Sequence, residues 1–162
     1  MLPSPSPSDA RTILTLAVIP ALRLEHTLTC RVLAGLPDDR ASFRPQDGAR
    51  TAGELAGHIV RTEVRWLDGI ATGGFREITD PSGAPDGGTA LVDYYRARFA
   101  SAVDALAMLP AEHLVRKLDY RGVVRMPALG FATLAMHHTI HHRGQLSVYL
   151  RSMGLPVPAI YG

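Results

Sequence analysis

Residues 136–145 read Met-His-His-Thr-Ile-His-His-Arg-Gly-Gln, and four of the chain's seven histidines fall within six consecutive positions. The run lies in a segment that opens at Pro127 and reaches Met153-Gly154 without another proline. Proline at the first helical position and glycine just past the last predict one long helix between them. On a helix His138 and His142 are one turn apart, as are His137 and His141, and each such pair points its rings the same way. Two imidazoles so placed can share a metal ion.

The flanks indicate which pair faces inward. The i+3/i+4 rows through His138 and His142 collect Phe131, Leu134, Ala135, Leu146, Tyr149 and Met153, an apolar stripe. The rows through His137 and His141 collect Gly130, Thr133, Gly144, Val148 and Arg151, a weaker one. His138 and His142 are therefore expected to look into the core, with His141 at its border and His137 outside. Arg143 and Arg151 fall off the inward row and are expected at the solvated surface or in a dimer contact.

A third ligand must come from elsewhere in the chain. Thr51-Ala52-Gly53-Glu54 reads as a capping box, opening a helix that runs to about Ala71. Its inward row is Leu55, His58 or Ile59, Thr62, Trp66 and Ile70, which makes His58 the candidate. Glu54 is spent in the cap, and Glu63 is expected to be exposed.

The remaining segments complete an all-α reading. Residues 1–8 alternate proline and serine and are expected to form a flexible tail, with the folded domain spanning 9–162. Ser8 or Asp9 can cap a first helix to about Ala34, with Pro20 kinking or restarting it. Cys30 on that helix reads as a small buried apolar residue. Residues 72–88 are rich in Gly, Pro and Asp and predict a long loop, by default surplus chain and otherwise a lid or a wall of a site. A third helix covers about Thr89 to Leu109. Leu114 to Met126 alternates around Arg121-Gly122, suggesting a short irregular hairpin before the last helix. Four long helices with little strand predict a four-helix bundle, where metal sites are built from side chains on facing helices.

Composition narrows the function classes. A formal net charge of only +2, with no Lys/Arg cluster, argues against nucleic-acid binding. The N-terminus has neither a basic nor an apolar signal region, and no apolar run approaches a membrane span, so a cytoplasmic location is expected. The single cysteine excludes an internal disulfide and is compatible with a reducing compartment.

The run His138-Thr139-Ile140-His141-His142-Arg143-Gly144-Gln145-Leu146, followed by Tyr149-Leu150-Arg151 and Gly154, resembles the C-terminal signature of the DinB/YfiT-like superfamily of metal-dependent enzymes. Pro158-Ala159-Ile160-Tyr161-Gly162, Phe43-Arg44-Pro45, Thr51-Ala52-Gly53-Glu54-Leu55, His58, Glu63 and Trp66-Leu67 are similar as well. The resemblance spans about residues 10 to 162. It implies a four-helix bundle, commonly a homodimer, with His58, His138 and His142 as the three ligands of a divalent metal ion. His141 matches a position the family often fills with histidine, which implies a supporting role behind the ligands. Members of the family include transferases and isomerases that use low-molecular-weight thiols, and many others have no known reaction, so the resemblance implies a thiol as one candidate cosubstrate. The family name refers to induction by DNA damage and does not imply DNA binding.

Three neutral imidazoles on zinc or nickel leave a coordination position open, as catalytic sites do and structural ones do not. A water there has its pKa lowered and a thiol is deprotonated. The expected activity is that of a metal-dependent hydrolase or thiol S-transferase acting on a small molecule. The competing expectation is a non-catalytic metal-binding or dimerisation module. A ferritin-like di-iron site is disfavoured because no Glu has a His three positions later.

Overall fold

The computed structural model describes residues 5–75, 85 and 87–161 of the 162. Helix α1 (Pro7–Leu33) starts earlier than expected. Ser6 is the cap: its hydroxyl accepts from the Asp9 amide at 3.2 Å, and the Asp9 carboxylate accepts from the Ser6 amide at 3.3 Å. Pro7 and Ser8, assigned to the tail from sequence, are thus the first helical residues. Pro20 does not break the helix. The segment Leu14–Val18 widens into a π turn, with Ile19 N–H donating to Leu14 C=O, and the helix continues from Ile19. A proline cannot donate to the carbonyl four residues back, and the wider turn accommodates that mismatch.

Contrary to the sequence expectation, α1 is long and apolar enough to cross a membrane by length and composition alone. Part of its apolar surface is used inside the protein, where Leu14, Leu22 and Val32 are fully buried, while Ile13, Leu16 and Leu24 stay exposed.

Helix α2 (Ala52–Thr72) begins at the Thr51–Glu54 capping box and stops at Gly73, which takes a left-handed conformation with φ 82°. Helix α3 (Gly88–Met108) and the short α4 (Ala111–Val115) follow. Strands β1 (Lys117–Tyr120) and β2 (Val124–Pro127) then form the expected hairpin, with Leu118 opposite Met126. Its turn needs positive φ at Arg121 (57°) and Gly122 (70°), the twist that suits a tight hairpin. Helix α5 (Ala128–Ser152) closes the bundle, with Pro127 as its cap rather than its first residue. Most of the loop expected at 72–88 lies outside the described residues.

Helices α2 and α5 make the most extensive helix–helix contact. The innermost row of α5 is Phe131, Ala132, Ala135, Thr139, Arg143, Leu146 and Leu150. This is one position round from the row expected through His138 and His142. Arg143 is therefore not at the surface: it is 2% exposed. Its Nη1 donates to Glu25 Oε2 at 2.6 Å, and its Nη2 donates to the Tyr161 hydroxyl at 2.7 Å. Tyr161 in turn donates to Glu25 at 2.8–2.9 Å. A charge in the interior is tolerated when it is paired and hydrogen-bonded in this way. Glu63, expected to be exposed, is likewise interior: it is 1% exposed and accepts a hydrogen bond from Tyr95. Burial raises its pKa to about 7.

Candidate metal centre

The one-position offset of α5 places His138 and His142 at the edge of the core, half-buried, while His137 and His141 are exposed. Across from them, α2 presents His58, also half-buried. His58 Nε2 lies 3.1 Å from His138 Nε2 and 3.3 Å from His142 Nε2. Two nitrogens each about 2.0–2.1 Å from a tetrahedral zinc ion stand roughly 3.3 Å apart, so this spacing fits a shared cation. Among the described residues no carboxylate or thiol joins the cluster.

The donor atoms are also in the right chemical state. Burial, then the charge of Arg50, lowers the His58 pKa to about 4. Burial, then His142 and His58, lowers His138 to about 4. His142 is lowered as well, chiefly by burial. Neutral imidazole is the form that binds metal. The His142 tautomer follows from its neighbour: Nδ1 lies 2.7 Å from the Gln145 carbonyl oxygen and must donate, which leaves the Nε2 lone pair facing the cluster. The Gln145 amide nitrogen lies 3.2 Å from His141 Nε2. His141 thus reaches the ligand cluster through Gln145 and through its own ring, which stands edge-on to His142 with centroids 4.8 Å apart, the kind of outer contact that orients metal-binding imidazoles. His58 Nδ1 lies 3.3 Å from the Thr62 hydroxyl. His138 packs on Trp66, ring centroids 5.3 Å apart, and its Nδ1 has no partner among the described residues.

The cluster is not sealed. His58 and His138 line an open cavity of about 610 Å³, together with Thr62, Trp66 and Tyr120 and four arginines, Arg44, Arg50, Arg61 and Arg65. Trp66 and Tyr120 form an aromatic wall, ring centroids 5.4 Å apart. The hairpin delivers Tyr120 to this wall. A Cβ at Gly57 would run into the Arg61 guanidinium, so the glycine leaves that group room to fold back along α2. A second cavity, of about 740 Å³, is bounded by Gln145 and Tyr149 and shares the loop Gly48-Ala49-Arg50 with the first.

The structure thus brings together His58, His138 and His142, and leaves His141 one contact behind them. Sequence reasoning assigned no role to Arg50, Arg61, Arg65, Tyr120 or Gln145. Arg61 and Arg65 stand three and seven residues after His58, and Gln145 three after His142, so a helical wheel could have found them. Arg50 and Tyr120 come from a loop and a hairpin, where no period points at the site.

A sequence profile of the DinB superfamily matches residues 21–146. Aligned by sequence, the chain is 30% identical over 134 residues to the uncharacterised protein YjoA of Bacillus subtilis strain 168, covering 81% of this chain and 86% of YjoA. It is 28% identical over 143 residues to YrdA of the same organism, likewise uncharacterised, covering 85% and 82%. Aligned by structure, it matches the crystal structure of a DinB-like protein from Bacillus cereus ATCC 10987 with a TM-score of 0.74 and 28% identity, over 89% of this chain and 95% of that one. The crystal structure of YjoA matches with a TM-score of 0.74 and 24% identity, over 88% and 96%, a likeness of fold.

Proposed function

The chain belongs to the DinB superfamily, and on that premise we propose that it is a metal-dependent enzyme acting on a small molecule. In this reading His58, His138 and His142 hold one divalent cation, zinc or nickel. The reaction is a hydrolysis or a transfer to or from a low-molecular-weight thiol. The observation that supports it most directly is that three imidazole nitrogens converge and two of their rings, His58 and His138, line a polar cavity large enough for a substrate. A closed, dry cluster would instead suit a structural role.

Bound there, the cation would act as an electrophile, polarising a carbonyl or lowering the pKa of a water or thiol that reaches it. The protein's own residues prepare this. Burial keeps the imidazoles neutral, Gln145 holds His142 in the ligating tautomer, and Trp66 fixes the His138 ring from the side. Trp66 and Tyr120 offer a flat apolar wall to the body of a substrate. Glu63 does not line the cavity and is committed to Tyr95 in the interior.

We further read the protein as a homodimer of the reducing cytoplasm. Ile13, Leu16 and Leu24 on α1 are 42%, 74% and 56% exposed and lie along one face with Pro20, an apolar strip suited to self-association. The one cysteine, Cys30, is buried beside His26, and its thiol is pushed up to about 11, chiefly by burial, which keeps it unreactive.

The test of the enzymatic reading is a screen of zinc- and nickel-loaded protein against simple esters and thiol–acceptor pairs, run beside His138→Ala. Turnover that disappears in the variant supports it. Metal-loaded protein that turns over neither class points to the non-catalytic metal-binding module.

A further inference from the structure

The cavity over the histidines is far more basic than the chain. Its lining holds four arginines and one glutamate, although the whole chain carries a formal net charge of only +2. The glutamate is not free to balance them. Glu54 accepts the Thr51 amide at 2.7 Å in the helix cap and pairs with Arg44 at 3.8 Å. Arg44 also donates to the Ala49 carbonyl, so these two side chains are satisfied by each other and by backbone.

The other three are not. Arg50, Arg61 and Arg65 have no carboxylate within ion-pair distance and no side-chain hydrogen-bond partner among the described residues. Arg65 Nε is buried without an acceptor. Arg61 and Arg65 lie one turn apart on α2, where like charges destabilise a helix, and an unpaired buried donor adds to that cost. Both share the helix face of His58 and Thr62, at positions 58, 61, 62 and 65. Helix α2 therefore carries an unfavourable arrangement aimed at one cavity, with no counter-ion among the described residues.

We propose that the missing counter-ion is the substrate: a small organic anion whose carboxylate or phosphate is gripped by Arg50, Arg61 and Arg65 while its body lies along Trp66 and Tyr120. This deepens the enzymatic reading given above and rests on it for the identity of the cavity as the active site. Guanidinium is suited to the task because its fixed fork matches carboxylate and phosphate oxygens in pairs. Three such groups favour a ligand with more than one negative charge. Arg61 and Arg65, anchored on a helix, set its position; Arg50, on the loop shared by the two cavities, closes over it.

Trp66 is the only tryptophan in the chain and lines this cavity, so its fluorescence reports on the site alone. The experiment titrates metal-free protein with succinate, inorganic phosphate and the neutral analogue succinamide. A saturable change with succinate, with phosphate, or with both is expected, and the stronger response identifies carboxylate or phosphate as the preferred group. Succinamide is expected to do nothing. Arg61→Gln and Arg65→Gln should each weaken binding about tenfold, the scale of one lost charge-assisted hydrogen bond, while Arg23→Gln, on the outer face of α1, binds as wild type. Raising salt to roughly 0.5 M should also weaken binding. No saturable response to either anion, or equal affinity in the two α2 variants and wild type, overturns the proposal. Because the titration needs no metal, anion binding in a protein that fails to retain zinc or nickel supports the anion site and removes only the metal reading. Metal retention without anion binding does the reverse.

Discussion

Arg143 and Glu25 form a buried ion pair, Nη1 to Oε2 at 2.6 Å, one residue past His142. The pair joins α5 to α1, and Tyr161 bonds to both partners, tying the end of the chain to the same point. Its consequence for function is rotational. With Arg143 and Thr139 on the innermost line of α5, the preceding residues His142 and His138 are turned about 100° away, toward α2 and the cavity.

Breaking this pair on one side should be costly. Arg143→Ala leaves Glu25 charged and unpaired in the interior, and a loss of about 3–5 kcal/mol in unfolding free energy is expected. The double variant Glu25→Ala/Arg143→Ala should lose less than the sum of the two single changes. Urea denaturation of the four proteins measures the coupling, and additive losses would remove the pair from the account.

The ligand set is open to direct measurement. His58→Ala, His138→Ala and His142→Ala should each reduce bound metal sharply by elemental analysis, while His137→Ala, whose side chain is exposed, should retain it. Retention in His138→Ala with loss in His137→Ala contradicts the geometry.

An open coordination position predicts a spectroscopic response. Cobalt- or nickel-substituted protein should change its visible spectrum when azide or a small thiol is added, because a new donor joins the three imidazoles. An unchanged spectrum at saturating ligand means that the site is closed.

Acid should destabilise the metal-free protein through its histidines. His58, His138 and His26 sit at about 4 in the fold against 6.5 when free, each lowered first by burial, and His142 is lowered too. Between those pH values the unfolded chain binds more protons than the folded one, so stability is in place above 6.5 and is lost as pH falls toward 4. Glu63 has the opposite sign. Raised from 4.5 to about 7, its contribution is complete below pH 4.5 and disappears as pH rises through 7. The melting temperature is expected to climb from pH 4 to 6.5 and to climb more steeply in Glu63→Gln. A flat profile over this range rules the account out.

Self-association should depend on the strip on α1. Sedimentation at micromolar concentration is expected to show a dimer, and Leu16→Glu, at a position 74% exposed, should yield a folded monomer. A monomeric wild type would end the dimer proposal.

The long helices were legible in the sequence because their signals are local. The Thr51–Glu54 box, the left-handed Gly73 and Gly154, and the Arg121-Gly122 turn each act within a few residues, and the chain obeys them. The three histidines were legible for a related reason: an i, i+4 pair shares a face in any helix, and His58 stands beside the apolar row of its own. Tertiary packing decided the rest. Glu63 and Arg143 stand off the rows that sequence marked as inward, yet both are buried, because α2 and α5 are flanked on several sides and lose a wider arc of surface than one apolar stripe records. Which helices flank which is set by contacts between residues far apart in the chain, such as Glu25 with Arg143 and His58 with His138. No periodicity along a single helix carries that information.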